Sequence, residues 1–314
     1  MLENPTSTHE TAHKDFKNLC EARIQFAVDE SSNLLENTER PLLIVAYGPM
    51  AGGKSTFLKD ITQQLQKKEL ASIIFKLSAD SRGDEIQQAW TRNGPMKATP
   101  IETIQDAYEY LEELETGIAA LDEVSFLGSS EELIAFVQYA HEQGISVIAS
   151  GLGAWFNGEP LQQIHDLLDH ADVAYCLQSY DSFNPQIPAD FTLRGVGIAP
   201  DGKILHSNDC TNYYPDMTDQ ERLNIVQRLK QIDEQTILDI CNPDGFPGIE
   251  RCFLVPSHPA DSKFAIGADR YVPVSQKKFN LIYQTAGLNP PNQPPISDLY
   301  NHPAIRNWEE VGLS

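Results

Sequence analysis

A chain of 314 residues with an ordinary apolar share of 41% can bury one large core, or one core with an appendage. Its net charge of −22 and lack of any basic tract argue against a broad duplex-binding face, which needs clustered Lys and Arg, so no nucleic-acid partner is expected. The five cysteines form no C-x-x-C pair, and there is no signal peptide and no apolar run of membrane-span length. The expected setting is therefore a reducing cytoplasm, with free thiols and no membrane partner.

Met1 to Arg40 is polar and charged and reads as a partly mobile N-terminal extension, with Phe16, Leu19 and Ile24 in a short helix. From Pro41 the pattern becomes α/β. Leu42 to Tyr47 is an apolar run of the kind found in a buried parallel strand. Next comes Gly48-Pro49-Met50-Ala51-Gly52-Gly53-Lys54-Ser55-Thr56, which fits G-x-x-x-x-G-K-[ST]. Phe57, Ile61 and Leu65 then recur at helical spacing. Strand, glycine turn and helix start are the context a phosphate-binding loop requires. Its backbone N–H groups surround phosphate oxygens, and the helix N-terminus adds positive potential. Lys54 is expected at the β- and γ-phosphates and Ser55 on Mg²⁺, so ATP and Mg²⁺ are the expected cofactors.

Ala71 to Lys76 reads as a second strand. Thr99-Pro100-Ile101-Glu102 has the form of a capping box, with a helical stripe of Ile104, Tyr108 and Leu111 after it. Gly117 to Leu121 is a third strand running into Asp122-Glu123. Carboxylates at that strand end lie at the carboxyl edge of the sheet, where ligands bind in such folds. Asp122 is placed to hold Mg²⁺, and Glu123 to accept a proton from an attacking hydroxyl or water. Ser129-x-x-Glu132 caps a helix that Gly144 closes, and strands are expected at 145–150 and 171–176. This alternation implies a mostly parallel sheet with helices on both faces.

After Asp181 the rhythm changes. Phe191 to Ile198, Asp201-Gly202 and Lys203 to Leu205 suggest a hairpin. Thr218-x-x-Glu221 caps a helical stretch carrying Leu223, Val226 and Leu229, and a loop region with Phe253-Leu254-Val255 follows. Thr285 to Ser314 is rich in Pro and Asn and reads as an extended tail lying over the core.

Several motifs together resemble the cellular-type (type II) thymidine kinases. Gly48-Pro49-Met50-x-x-Gly53-Lys54-Ser55-Thr56 looks like that family's G-P-M-F-S-G-K-[ST]-[ST] loop. Lys76 to Arg82 is similar to K-Y-A-K-D-T-R, and Leu121 to Leu127 to I-D-E-x-Q-F-F. Val147 to Phe156 resembles V-I-V-A-A-L-D-G-T-F, and Ile266 to Ser275 resembles I-G-G-x-x-x-Y-x-x-V-C. The matches run in family order. They imply a RecA-like P-loop NTPase fold followed by a C-terminal lasso-type small domain. The organisation expected is an extension (1–40), a nucleotide-binding domain (41–180), a lasso domain (181–284) with an insertion at 206–263, and a tail (285–314).

The resemblance implies transfer of the γ-phosphoryl of ATP to the 5′-hydroxyl of a deoxynucleoside, thymidine first, by a homodimer or homotetramer. Glu123 would be the general base and Asp122 the Mg²⁺ partner. Phe126, Leu152 and Phe156 would wall the base pocket, and Tyr271 would contact the nucleoside. Core packing is the other reading of Leu152 and Phe156, and loop anchoring that of Tyr271. The chain also departs from the family. Cys176-x-x-Ser179 and Ser275-x-x-Lys278 stand where two zinc-binding C-x-x-C pairs belong, so no structural zinc is expected there. His206, Cys210, Cys241 and Cys252 lie in the insertion and could make an unrelated site, with irregular spacing. Arg92 replaces an expected aspartate and is a candidate phosphate clamp, while Ser125 and Gly153 replace Gln and Asp. These changes keep other readings open: a kinase of another nucleoside or small alcohol, or a non-catalytic ATP-binding regulator. A nucleic-acid motor ATPase is disfavoured by the charge.

Overall fold

The computed structural model describes residues 5–78, 88–91, 94–114, 116–181, 184, 187–198, 204–205, 220, 224, 227, 253–256, 270–285, 287 and 301–313. The chain divides into two compact units. One comprises Lys14–Gly153, Pro160–Ser179 and Pro295–Ser314, and the other Met1–His13, Ala154–Glu159 and Tyr180–Pro294.

The first unit is built on a sheet whose strands are β1 (Leu43–Gly48), β2 (Ser72–Leu77), β5 (Thr99–Ile101), β6 (Gly117–Leu121), β7 (Ile145–Leu152) and β8 (Val173–Cys176). Their order is β5-β2-β6-β7-β1-β8, and every pairing is parallel. All six residues of β1 are buried. Successive side chains of a strand point to opposite faces, so both faces of the sheet are covered there. A hairpin of β3 (Gln88–Thr91) and β4 (Gly94–Lys97) stands apart from this sheet. The helices are α1 (Pro5–Asn37), α2 (Lys54–Gln66), α3 (Ala107–Glu112), α4 (Ser130–Glu142) and α5 (Gln162–Leu168). The capping box at Ser129 and Glu132 forms as the spacing predicts: each side chain accepts from the other residue's backbone N–H.

Three local expectations are corrected. The helix of the N-terminal segment is not short but the 33-residue α1. From Lys14 onward α1 belongs to the first unit, where Ala27 and Val28 join the core with Leu42, Ile44, Phe57 and Tyr175. Its inward stripe is small and partly polar, with Ser31 and Ser32 also buried, so hydrophobic periodicity scarcely shows. Ser31 Oγ donates to Tyr175 Oη at 3.2 Å, and Tyr175 Oη donates to Glu30 Oε2 at 3.0 Å. Thr99 does not cap a helix. Thr99–Ile101 pairs with Phe75, Lys76 and Leu77, and Pro100 is tolerated because β5 is an edge strand. The capping box forms instead between Thr103 and Asp106.

The third correction lies in the second unit. Phe253–Pro256, read as loop, is strand β13, antiparallel to β11 (Phe191–Ile198). β11 also pairs with β12 (Ile204–Leu205) and β14 (Arg270–Val274), while β9 (Ser179–Tyr180) and β10 (Pro188–Ala189) form a short ribbon. The β11–β12 pairing is the hairpin expected from sequence. Of the helix predicted from Thr218, only Gln220, Asn224 and Gln227 are described, each helical; Leu223, Val226 and Leu229 lie outside the described residues.

The final helix of this unit, α6 (Gln276–Thr285), is anchored by carboxylates at its start. Asp181, fully buried, accepts from Ser275 N at 2.7 Å, and Asp190 accepts from Gln276 N at 2.9 Å. Negative charge at a helix N-terminus is favourable. Phe191, Phe279 and Tyr283 pack beneath, with centroids 5.0 and 4.7 Å apart.

Burial pushes the Asp190 carboxyl above its ordinary pKa, the Gln276 N–H lowers it, and neighbouring Asp181 raises it further. The folded state then holds this proton more tightly than the unfolded one. Its contribution to stability is full below the unfolded carboxyl range, near pH ~4, and is lost as pH rises through the raised folded value. Asp190→Asn keeps an acceptor for Gln276 N without the buried charge. Its urea midpoint at pH 7 is expected above the parent's, with the gap closing as the pH falls towards ~4. A midpoint below the parent's at pH 7 would refute this.

Candidate active site

The phosphate loop joins β1 to α2, and the backbone there needs glycine. Gly53 has φ 88°, and a Cβ on it would lie 2.2 Å from Ile24 Cδ1. A Cβ on Gly52 would lie 2.3 Å from the Leu177 carbonyl oxygen. Ala51 also adopts positive φ, 62°. Met50 and Gly53 are half-buried and Ala51 exposed; Gly48, Pro49 and Gly52 are buried. Lys54 is 5% exposed, and its Nζ donates to the carbonyls of Gly48 at 3.2 Å and Pro49 at 2.8 Å. Its ammonium therefore sits within the loop. Thr56, also buried, follows in the first turn of α2.

Strand order brings the second half of the site to the same edge. β7 lies between β1 and β6, with Gly48 opposite Leu152 and Leu121 opposite Ala149. Asp122, the residue after β6, is 6% exposed. Ser150 Oγ donates to Asp122 Oδ1 at 2.9 Å, and Ser55 Oγ lies 3.5 Å from the same oxygen. Ser150 went unnoticed in the sequence reading. Its only signal is a hydroxyl inside a strand otherwise apolar from Val147 to Ala149, and it is fully buried. Ser55 and Asp122 offer hard oxygen donors of the type Mg²⁺ takes, usually alongside phosphate and water.

Glu123 is held at φ 54°, ψ 51°, in the left-handed region. For a non-glycine residue this costs on the order of 1 kcal/mol or more, and such strain clusters at functional sites. Its Oε2 is buried and has no hydrogen-bond partner among the described residues, and the same is true of Ser125 Oγ. A buried acceptor without a donor is costly in itself, and is the arrangement expected of a group that receives a proton from a bound hydroxyl.

The proposed base-pocket residues fall in both units. Phe126, half-buried in the turn after Glu123, and Leu152, at the end of β7, belong to the first. Phe156 and Tyr271 belong to the second. There the Arg194 guanidinium lies 3.8 Å from the Phe156 ring centroid, and Arg194 stands opposite Tyr271 across β11 and β14. The Phe156–Arg194 stack had no sequence signal. Arg92 lies outside the described residues. At the family's zinc positions stand one thiol, two hydroxyls and an ammonium. Ser275 Oγ accepts from Lys278 N at 3.4 Å. Among the described residues no group of three His, Cys, Asp or Glu side chains is placed to hold a metal ion. No described helix is long and apolar enough to cross a membrane.

A parallel sheet with a glycine loop and buried lysine after one strand, and a carboxylate pair after another, defines an α/β P-loop kinase-type fold. Residues 42–194 match the sequence model of the thymidine kinase family.

Proposed function

We propose that this protein transfers the γ-phosphoryl group of ATP to the 5′-hydroxyl of a deoxynucleoside, with thymidine the first acceptor. The observation that supports this reading is the half-buried Glu123 in left-handed backbone, next in sequence to Asp122 of the Asp122–Ser150–Ser55 cluster, with its Oε2 buried and without a hydrogen-bond partner among the described residues. In the proposed step the 5′-oxygen forms a bond to the γ-phosphorus while its proton passes to Glu123. The bond to the β,γ-bridging oxygen breaks, and ADP leaves. Lys54 would stabilise the charge that develops on the phosphoryl oxygens. Mg²⁺, held by Ser55 and Asp122, would add charge neutralisation on the phosphates. Within the first unit, Phe126 and Leu152 would offer aromatic and aliphatic surface to a flat base; within the second, Phe156 and Tyr271 are the candidate nucleoside contacts.

Two side chains favour a second acceptor class, because both are shorter than the family pattern. Ser125 replaces a glutamine. Gly153 replaces an aspartate, and a Cβ there would lie 3.2 Å from the Tyr47 ring. One assay separates the readings: Mg·ATP labelled on the γ-phosphate, offered to a panel of deoxynucleosides, ribonucleosides and small alcohols. The expected product is labelled thymidine monophosphate. Label in another acceptor would support the second reading. ATP binding with no labelled acceptor would sink both and leave a nucleotide-binding regulator.

A further inference from the structure

Beside the phosphate loop runs an open groove of about 640 Å³, lined among others by Arg23, Cys176, Gln178, Trp308, Glu309 and Glu310. Every one of these residues belongs to the first compact unit. Two of its walls continue directly from residues that touch the loop. Cys176 and Gln178 flank Leu177, whose carbonyl oxygen closes on Gly48 and Gly52. Arg23 precedes Ile24, whose side chain closes on Gly53. The groove thus opens within one residue of both contacts on the loop.

Its walls are fixed. Arg23, 7% exposed, donates from Nε to the Leu313 carbonyl at 2.8 Å and from Nη1 to Gln178 Oε1 at 2.5 Å. Trp308 donates from Nε1 to the Cys176 carbonyl at 3.0 Å and stacks on Tyr175, with centroids 6.2 Å apart. The Arg23 guanidinium lies 5.4 Å from the Trp308 ring centroid. Glu309 and Glu310 are exposed at the rim.

We propose that this groove binds the purine nucleoside end of the phosphate donor. The inference rests on the reading of Gly48 to Thr56 as the triphosphate site. Once the loop holds the phosphates, the nucleoside must leave along a flank of the loop, and a volume of this size suits it. The charge is distributed to match. The rim carboxylates accept hydrogen bonds from ribose hydroxyls or an exocyclic amine, and they repel phosphate, which directs that end into the loop. Gln178 presents an amide suited to a base edge, oriented by Arg23. Arg23 on α1 and the walls from 301–313 lie outside the family-matched span, while Cys176 and Gln178 lie inside it.

The test compares two ligands on the full chain by calorimetry: Mg·ATP, and Mg·tripolyphosphate, which lacks the nucleoside. Gln178→Ala and the double variant Glu309→Ala/Glu310→Ala are each expected to weaken ATP about tenfold, the scale of one or two hydrogen bonds, and leave tripolyphosphate unchanged. Unchanged ATP affinity in both variants would overturn the proposal, as would an equal loss for the two ligands. A parent that binds ATP no better than tripolyphosphate overturns the groove alone. A parent that binds neither overturns the phosphate-loop reading with it. Failure of phosphoryl transfer with ATP binding weakened as expected would refute the kinase assignment and leave the groove standing.

Discussion

Glu123→Gln is expected to lower phosphoryl transfer by about 10²- to 10⁴-fold while leaving Mg·ATP affinity within about twofold of the parent's. The amide keeps the shape of the side chain but cannot take the proton of the attacking hydroxyl. A second substitution separates chemistry from fold. Glu123→Gly removes the base and also relieves the left-handed backbone at φ 54°. It is expected to be inactive and yet more stable to urea, by roughly 1 kcal/mol. Retention of more than a tenth of parental kcat by Glu123→Gln would remove Glu123 from the role of base.

Lys54→Met is expected to cost about 10²- to 10³-fold in kcat, with a weaker loss of ATP affinity. The methionine preserves the buried aliphatic stem but deletes the ammonium that bonds the carbonyls of Gly48 and Pro49. Steady-state kinetics paired with direct ATP binding will separate the two effects. An unchanged kcat with raised KM would mean that Lys54 contributes equally to ground and transition states, against the role proposed here.

The turn between β1 and α2 was legible because its requirements are local. Gly53 takes a φ of 88°, which favours glycine, and Lys54 after it turns its ammonium onto the carbonyls of Gly48 and Pro49. Asp122 and Glu123 were legible as polar residues ending an apolar run. Ser150 and Arg194 were not, because their roles come from partners that only the folded sheets bring near. Ser150 meets Asp122 across neighbouring strands, and Arg194 meets Phe156 from 38 positions further along the chain. The helix at Pro5–Asn37 was missed for another reason: its buried face is made of Ala27, Ser31 and Ser32, which carry little hydrophobic contrast. Thr99 and Thr103 each begin a stretch that satisfies a capping pattern. Pairing with Phe75 and Leu77 decided between them, and a long-range pairing cannot be read from four residues.

The segment after residue 300 also reaches the far rim of the sheet. Ala174 N donates to the Ala304 carbonyl at 2.7 Å, and Arg306 N donates to the Ala174 carbonyl at 2.8 Å, forming a parallel bridge from Ala174 to Ile305. β8 would otherwise present unpaired backbone groups to any passing strand, the usual route to intermolecular sheet growth. At the opposite rim, Pro100 withholds a donor from β5. The two boundaries of the central sheet are thus guarded by different means, one by a ring without an N–H and the other by the chain's own C-terminal segment. Cutting that segment away would shed more than a wall of the groove: it would turn a self-limited sheet into an open template for aggregation.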